Sequence, residues 1–427
     1  MIPRLTIEEF VKQFLVANNK ISMNPEIMET AMNVIKEVRA DGDSALKKYA
    51  QKFDAYVPEK WEVSEEERKH AWNMVSPNII ESLRKAAANI QDFHRKQITQ
   101  SRIMEMSEDI ISGQLFRPIE KVGIYVPGGT ASYPSTVLMN AIPASIAGVE
   151  EIIMVTPAHS EEGISPVLLV AADIAGVGKI YQIGGIQAIA ALAYGTDTIP
   201  KVDKIVGPGN AYVAAAKSIV YGDVGIDLIA GPSEVAIIAD ENATPAYIAA
   251  DLIAQAEHDK NARTFLFTTS NKLIEEVLVE LAKQLAVLPR KEIAAPSLLN
   301  NSAAVVVKNL HLAFDLVNQL APEHLEIVVQ NPLSWLGLVK NAGSVFLGEH
   351  TPEAVGDYFG GPNHVLPTSG NARFSSGLSV DDFIKKTTYL YYSEKALGST
   401  AEHIISIATE EKLAGHARAV QIRMQNE

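Results

Sequence analysis

The sequence predicts an α/β protein: two α/β units with parallel-rich sheets in tandem, flanked by small helical segments at both ends. Two observations predict it. From Lys121 onward, short β-rich runs end in Gly/Pro turns, and each turn is followed by an Ala-rich helical stretch. Strands alternating with helices of roughly 10 to 15 residues form βαβ units around a parallel sheet. After "GDVGIDLIAGPSE" the alternation begins a second time, and 427 residues are enough for more than one domain.

Taken in order, residues 1 to about 100 read as helix. "NPEIMETAMNVIKEVRADGDSALKKYAQKFD" and "NIIESLRKAAANIQDFHRKQI" carry apolar residues three and four apart, and "PEKWEVSEEER" is a polar connection between them. The first alternating unit contains "KVGIYVPGGTASYPSTVLMNAIPASIAG", "EEIIMVTP", "GKIYQIGGIQAIAALAYGT" and "DKIVGPGNAYVAAAKSIV". The second contains "EVAIIAD", "RTFLFTT", "SAAVVVK", "LEIVVQ" and "GSVFLGE", and the N-terminal helices are expected to complete it. Beyond about Ser379 the chain is expected to be helical again. The predicted division is an N-terminal helical segment 1–22, a first α/β domain 23–124 with 233–378, a second α/β domain 125–232, and a C-terminal helical segment 379–427.

Composition narrows the function. A formal net charge of -14 gives no basic face for nucleic acid. Cysteine is absent, which removes disulfides, thiolate metal sites and any Cys nucleophile, and fits a reducing compartment. The start lacks the apolar core of a signal peptide, and no run approaches the roughly 20 apolar residues of a membrane span. A cytoplasmic protein without membrane or nucleic-acid partners is expected.

Three glycine turns are candidates for a ligand crevice: Gly128 and Gly129; Gly184 and Gly185 with Gln187; Gly207 and Gly209 with Asn210. Glycines at strand ends let backbone approach a ligand, though the same turns serve equally as tight βα connections. None matches G-x-G-x-x-G, since Tyr212 stands where "GPGNAY" needs its third glycine. Gln255 and His258 share a helix face, a workable spacing for two metal ligands that, alone, also reads as a solvated polar face. Asp357 and His364 lie in the irregular "EAVGDYFGGPNHVLPTSG", and Glu411 and His416 in "EEKLAGHARA". Two imidazoles with amide and carboxylate oxygens would suit Zn²⁺, with Mn²⁺ or Co²⁺ as alternatives. "LAPEHLEI" sets Glu323 beside His324, a pair able to move protons or simply a connection between a helix and a strand.

Together, "YVPGGTASYPSTVLMNAIPA", "GGIQAIAALAYGT", "GPGN", "AGPSEV", "AQAEHD", "APEHLEI", "VGDYFGGPNHVLPTSGNARFSSGLSV" and "LAGHARA" resemble the histidinol dehydrogenase family, from about residue 25 to the C-terminus. The resemblance implies two Rossmann-like domains with an incomplete dinucleotide fingerprint, in an intertwined homodimer whose C-terminal segment reaches the partner subunit. It implies oxidation of L-histidinol to L-histidine through L-histidinaldehyde, the last step of histidine biosynthesis, with two NAD⁺ consumed and one Zn²⁺ per active site. Zinc would be held by Gln255, His258, Asp357 and His416. Glu323 would activate water and His324 would be the acid/base. Ser233, His364 and Glu411 would contact substrate, beside His324 and the zinc ligands, while Tyr125, Gln187 and Asn210 would contact NAD. A related zinc and NAD enzyme acting on another small diol or amino alcohol is the alternative.

Overall fold

The structure is a computed structural model, described here for residues 2–16, 24–54, 56–128, 132–158 and 163–424. Gly129 of the first glycine turn lies outside these residues. The chain forms two compact units, Met1–Gln97 with Ile119–Phe383, and Ile98–Pro118 with Ile384–Glu427.

In chain order the strands are β1 (Arg4–Leu5), β2 (Arg102–Met106), β3 (Ile110–Pro118), β4 (Lys121–Tyr125), β5 (Glu151–Thr156), β6 (Lys179–Gln182), β7 (Lys204–Val206) and β8 (Gly225–Ile226). They continue with β9 (Glu234–Ala239), β10 (Arg263–Thr268), β11 (Ala303–Val306), β12 (His324–Val328), β13 (Ser344–Leu347) and β14 (Ile384–Tyr392). The first unit holds two parallel sheets, ordered β6-β5-β4-β7-β8 and β1-β11-β10-β9-β12-β13. Leaving out the short edge strand β1, both have the order 3-2-1-4-5, the winding of one half of a dinucleotide-binding sheet. The tandem pair expected from the alternation is therefore two copies of one topology. Both sheets are covered on both faces, so their strands are apolar along their length; every residue of β9 is buried.

Local signals set the helix ends. Pro134–Ala147 has proline at its first position and ends at Gly148 with φ 89°; Pro166–Ala175 begins and ends in the same way, at Gly176 with φ 83°. The helix Gly185–Tyr194 buries every side chain from Ile186 to Ala193. A helix apolar all round needs a second layer over it.

That need corrects the expected pairing of the N-terminal helices. Pro25–Asp41 buries Ala31, Val34, Ile35 and Val38 in one cluster with Ile189 and Val213, beneath the β4–β8 sheet. Pro77–Arg95 buries Leu83, Ala86 and Ile90 against Val137, Leu138 and Ile142. These helices complete the sheet of 121–226, not that of 234–347, and β4 belongs to the former as well. Only the first residues pack on the six-stranded sheet: Phe10 meets Phe265 and Phe267 edge-on, with ring centroids 5.6 and 5.1 Å apart.

The C-terminal segment 379–427 differs from its helical expectation: it contains β14, which pairs antiparallel with β3 over nine residues in the sheet β14-β3-β2. Helices Glu394–Glu410 and Ala414–Gln421 follow.

Candidate active site

The stretch opened by Leu320 is a helix end, a proline turn and a strand start. The helix Leu310–Leu320 stops at Ala321, which takes φ 52°. A left-handed alanine is strained and persists only where its surroundings fix it, a pattern that clusters at functional sites. Here the turn is pinned from β13's approach: Gly343 donates its N–H to the Pro322 carbonyl at 3.0 Å, and Ser344 donates to the Glu323 carbonyl at 2.9 Å.

His324 is the first residue of β12, paired between Val235 and Ser344. Glu323 and His324 thus lie at the amino edge of the six-stranded sheet, opposite to the carboxyl edge where open α/β sheets usually bind ligands. Both are buried, 7% and 3% exposed. One neighbouring residue orients both. The backbone N–H of Glu234 donates to Glu323 Oε2 at 2.9 Å, and the Glu234 carbonyl lies 3.1 Å from His324 Nδ1. In the neutral ring, a proton on Nδ1 donated to that carbonyl would leave the lone pair on Nε2. It is buried, has no hydrogen-bond partner, and lies 3.6 Å from Asp357 Oδ1.

Carboxylates surround the imidazole. Nδ1 lies 3.9 Å from Glu323 Oε2 and 3.8 Å from Glu353 Oε2. Burial opposes the charged ring, but Glu323, Asp357 and Glu353 outweigh it and push its pKa up to about 10. Burial raises Glu323 to about 7, the His324 charge pulling the other way. Burial also raises Glu353 well above its usual value. Asp357 is different: burial works against its charge, but His324, then His364 and His258, hold it below the ordinary carboxylate range.

Asp357 sits on the short helix Glu353–Tyr358, and its carbonyl lies 2.9 Å from His364 Nδ1. His258 ends the turn after the helix Pro245–Ala256, where partial desolvation of the ring presses its pKa down against the pull of Asp357. Gln255 is fully buried. With its amide turned so that the nitrogen faces Glu353, it donates to both Glu353 oxygens at 2.9 Å and its oxygen, 2.8 Å from the Glu234 nitrogen, shares that N–H with Glu323. Ser233 is half-buried directly before Glu234. These residues form one neighbourhood in the first unit. Glu411 and His416 belong to the second unit, where both are exposed.

Two members of the neighbourhood carried no signal of their own in the sequence. Glu234 follows Ser233 in "AGPSEV" and is tied by its Oε1 to Arg263 Nη1 at 2.8 Å. Glu353 lies four residues before Asp357, one helical turn, and that spacing on a common face was the available clue.

A neutral imidazole, an ionised carboxylate and an amide are the donor types of an N/O divalent-metal site. His258 and Asp357 fit by donor type. In the amide orientation that satisfies Glu353, the Gln255 oxygen faces the Glu234 N–H, so ligation by Gln255 entails an amide rotation. Among the described residues, no three His, Asp or Glu side chains already converge on a metal-holding point.

At the other sheet, Tyr125 ends β4 and its hydroxyl accepts the Gly185 N–H at 3.2 Å; burial raises its pKa to about 12. Gln187 is fully buried, its nitrogen donating to Asp54 Oδ2 at 3.1 Å while its oxygen has no partner. Asn210 caps the helix Ala211–Val220, accepting from Tyr212 and Val213 N–H groups at 3.0 and 3.1 Å. All three stand at the carboxyl edge, Tyr125 and Asn210 on either side of the switch between β4 and β7.

Two doubly wound sheets, one with a nucleotide-type carboxyl edge and one with a buried acid–base pair, define the class: an α/β enzyme. The particular family follows from comparison with known proteins. A family model described as histidinol dehydrogenase matches residues 17–424. A histidinol dehydrogenase of Bacillus cereus is 52% identical over 427 residues, 99% of both chains, and one of Clostridium acetobutylicum is 52% identical over 94% of this chain and 93% of that one. The crystal structure of histidinol dehydrogenase from Elizabethkingia anophelis superposes with a TM-score of 0.93 at 39% identity, covering 99% of this chain and 98% of that one. The chain belongs to the histidinol dehydrogenase family.

Proposed function

We propose that this protein oxidises L-histidinol to L-histidine through L-histidinaldehyde, the last step of histidine biosynthesis, using two NAD⁺ and one Zn²⁺ per site. The observation that carries the reading is the buried Glu323/His324 pair, hung from the two backbone groups of Glu234 with His324 Nε2 facing Asp357. Family membership supports the substrate; the geometry supports the division of labour.

Gln255, His258 and Asp357 would hold the zinc, completed by His416, and when bound the ion would fix the substrate and help to align the carbon to be oxidised. Asp357 is one of the carboxylates that hold His324 protonated, and its engagement in a metal site would weaken that hold and favour the neutral imidazole. His324 Nε2 then takes the alcohol proton as hydride leaves for NAD⁺. Glu323, with a pKa near 7, is matched to taking a proton from the water that hydrates the aldehyde at neutral pH. His324 acts again on the hydrate in the second oxidation. A thiohemiacetal route is closed, because the chain has no cysteine.

Ser233, His364 and Glu411 contact the substrate. Tyr125, Gln187 and Asn210 contact NAD, and the unpartnered Gln187 oxygen is an acceptor available to a cofactor donor. The second unit exposes Ile103, Met104, Met106, Leu390 and Ile407, each more than half exposed. Apolar exposure on that scale favours burial against a second copy, and supports a homodimer in which Glu411 and His416 serve the partner's site. No helix among the described residues is long and apolar enough to cross a membrane.

The test is stoichiometry. L-Histidinol with excess NAD⁺ should yield two NADH and one L-histidine per substrate consumed. A yield of one NADH, with aldehyde released, would reject the four-electron reading.

A further inference from the structure

The proposed mechanism leaves one buried charged pair without a task. Lys217, on the helix Ala211–Val220, and Asp227, just past β8, form an ion pair whose side chains are 3% and 2% exposed. Two opposite charges withdrawn from water give little net stability, because desolvation offsets their attraction. What distinguishes this pair is the third group it holds. Asp227 Oδ2 accepts the backbone N–H of Gly207 at 2.8 Å, and Lys217 Nζ donates to the Gly207 carbonyl at 2.9 Å. The anion takes the donor and the cation takes the acceptor of a single residue. Both of its backbone groups are fixed by charge-assisted bonds, stronger than neutral ones.

Gly207 opens the turn "GPGN" after β7 and has φ 109°. A Cβ there would collide with the Tyr125 carbonyl oxygen. The backbone of this turn therefore abuts the end of β4, at the point where the sheet order reverses. Three residues on, Asn210 caps the helix that carries Lys217. Lys217 and Asp227 thus tie together the helix, the strand end and the turn between them.

We infer that Lys217 and Asp227 are positioning residues for the cofactor: their ion pair locks Gly207 against Tyr125 and so presets the turn that carries Asn210 at the NAD crevice. The inference rests on the NAD reading above and deepens it. A preset turn binds with less ordering on association, so the device acts on cofactor affinity and not on substrate affinity.

The test is steady-state kinetics of the zinc-loaded enzyme with each substrate varied in turn, together with NADH titration. Lys217→Met and Asp227→Asn should each raise the KM for NAD⁺ by about tenfold or more, a loss of about 1.4 kcal/mol per tenfold. The KM for histidinol and the zinc content should stay near their original values. Lys217→Arg, which keeps the charge, should recover most of the NAD affinity. Because a lone buried charge threatens folding, the double variant Lys217→Met/Asp227→Asn removes both charges together and should show the same selective loss. Folded variants with unchanged NADH affinity, or with both KM values raised in parallel, would overturn the inference alone. Failure of the unaltered protein to bind NADH would sink the cofactor reading and this inference with it.

Discussion

Replacing His324 by Asn is the perturbation with the most developed consequences. The asparagine keeps a donor that can face the Glu234 carbonyl, now 3.1 Å from Nδ1, but offers no basic nitrogen in place of Nε2. General acid–base catalysis contributes about 10²- to 10⁴-fold per step, and the proposed mechanism uses His324 in both oxidations, so kcat should fall by about 10³-fold or more. A second effect has a defined sign. Once His324 carries the proton taken in the first oxidation, its charge lowers the pKa of Glu323, which burial has raised to about 7. Without that charge the Glu323 pKa rises further. A base works in its ionised form, so the acid limb of the residual activity should move to higher pH. Initial rates of NADH formation across pH report both effects. Metal analysis and histidinol titration should meanwhile show zinc and substrate binding nearly intact. A kcat within tenfold of the original, or an acid limb that stays put, would refute the assigned role.

Three further outcomes are expected. Chelation should abolish activity and added Zn²⁺ should restore it, and Asp357→Asn should lower metal content; indifference to chelator would remove the metal from the account. Arg263→Leu leaves Glu234 fully buried without its partner, which should cost about 3 to 5 kcal/mol in urea unfolding, with Glu234→Gln recovering part of the loss; a change below about 1 kcal/mol would contradict the pairing. Co-expressing His324→Asn with His416→Asn tests the crossing of subunits. If His416 serves the partner's site, mixed dimers contain one intact site, and random pairing restores about a quarter of the original activity. If it serves its own chain, no activity returns.

The sequence revealed the sheets more fully than their partners. Alternation of "EVAIIAD", "RTFLFTT", "SAAVVVK" and "LEIVVQ" with amphipathic helices was enough to place the strands, because buried parallel strands are apolar throughout. The docking of the N-terminal helices was misassigned, although Ile186–Ala193, apolar on every face, already called for a covering layer. β14 was hidden inside an expected helical tail. Its "IKKTTYLYY" is rich in the β-branched and aromatic residues that favour strands, but its partner β3 lies more than 260 residues earlier, and local pattern does not reveal such a pairing.

The site shows the same limit. Glu323, His324, Asp357, His258 and Gln255 were each readable as candidates, and the fold brings them into one neighbourhood from β12 and two helices. Glu234 was not readable, because its contribution comes from its backbone. Its N–H and carbonyl orient Glu323 and His324 whatever its side chain, and only the β9–β12 register puts them there.

The central claim is that His324 Nε2 meets the reacting carbon's oxygen. A crystal structure of the zinc enzyme with L-histidinol bound tests it most directly. The substrate hydroxyl should lie within about 2.6 to 3.2 Å of Nε2. Its imidazole and amine should face the metal held by Gln255, His258 and Asp357. A hydroxyl turned away from His324, or histidinol seated at another edge of the sheets, would contradict the account.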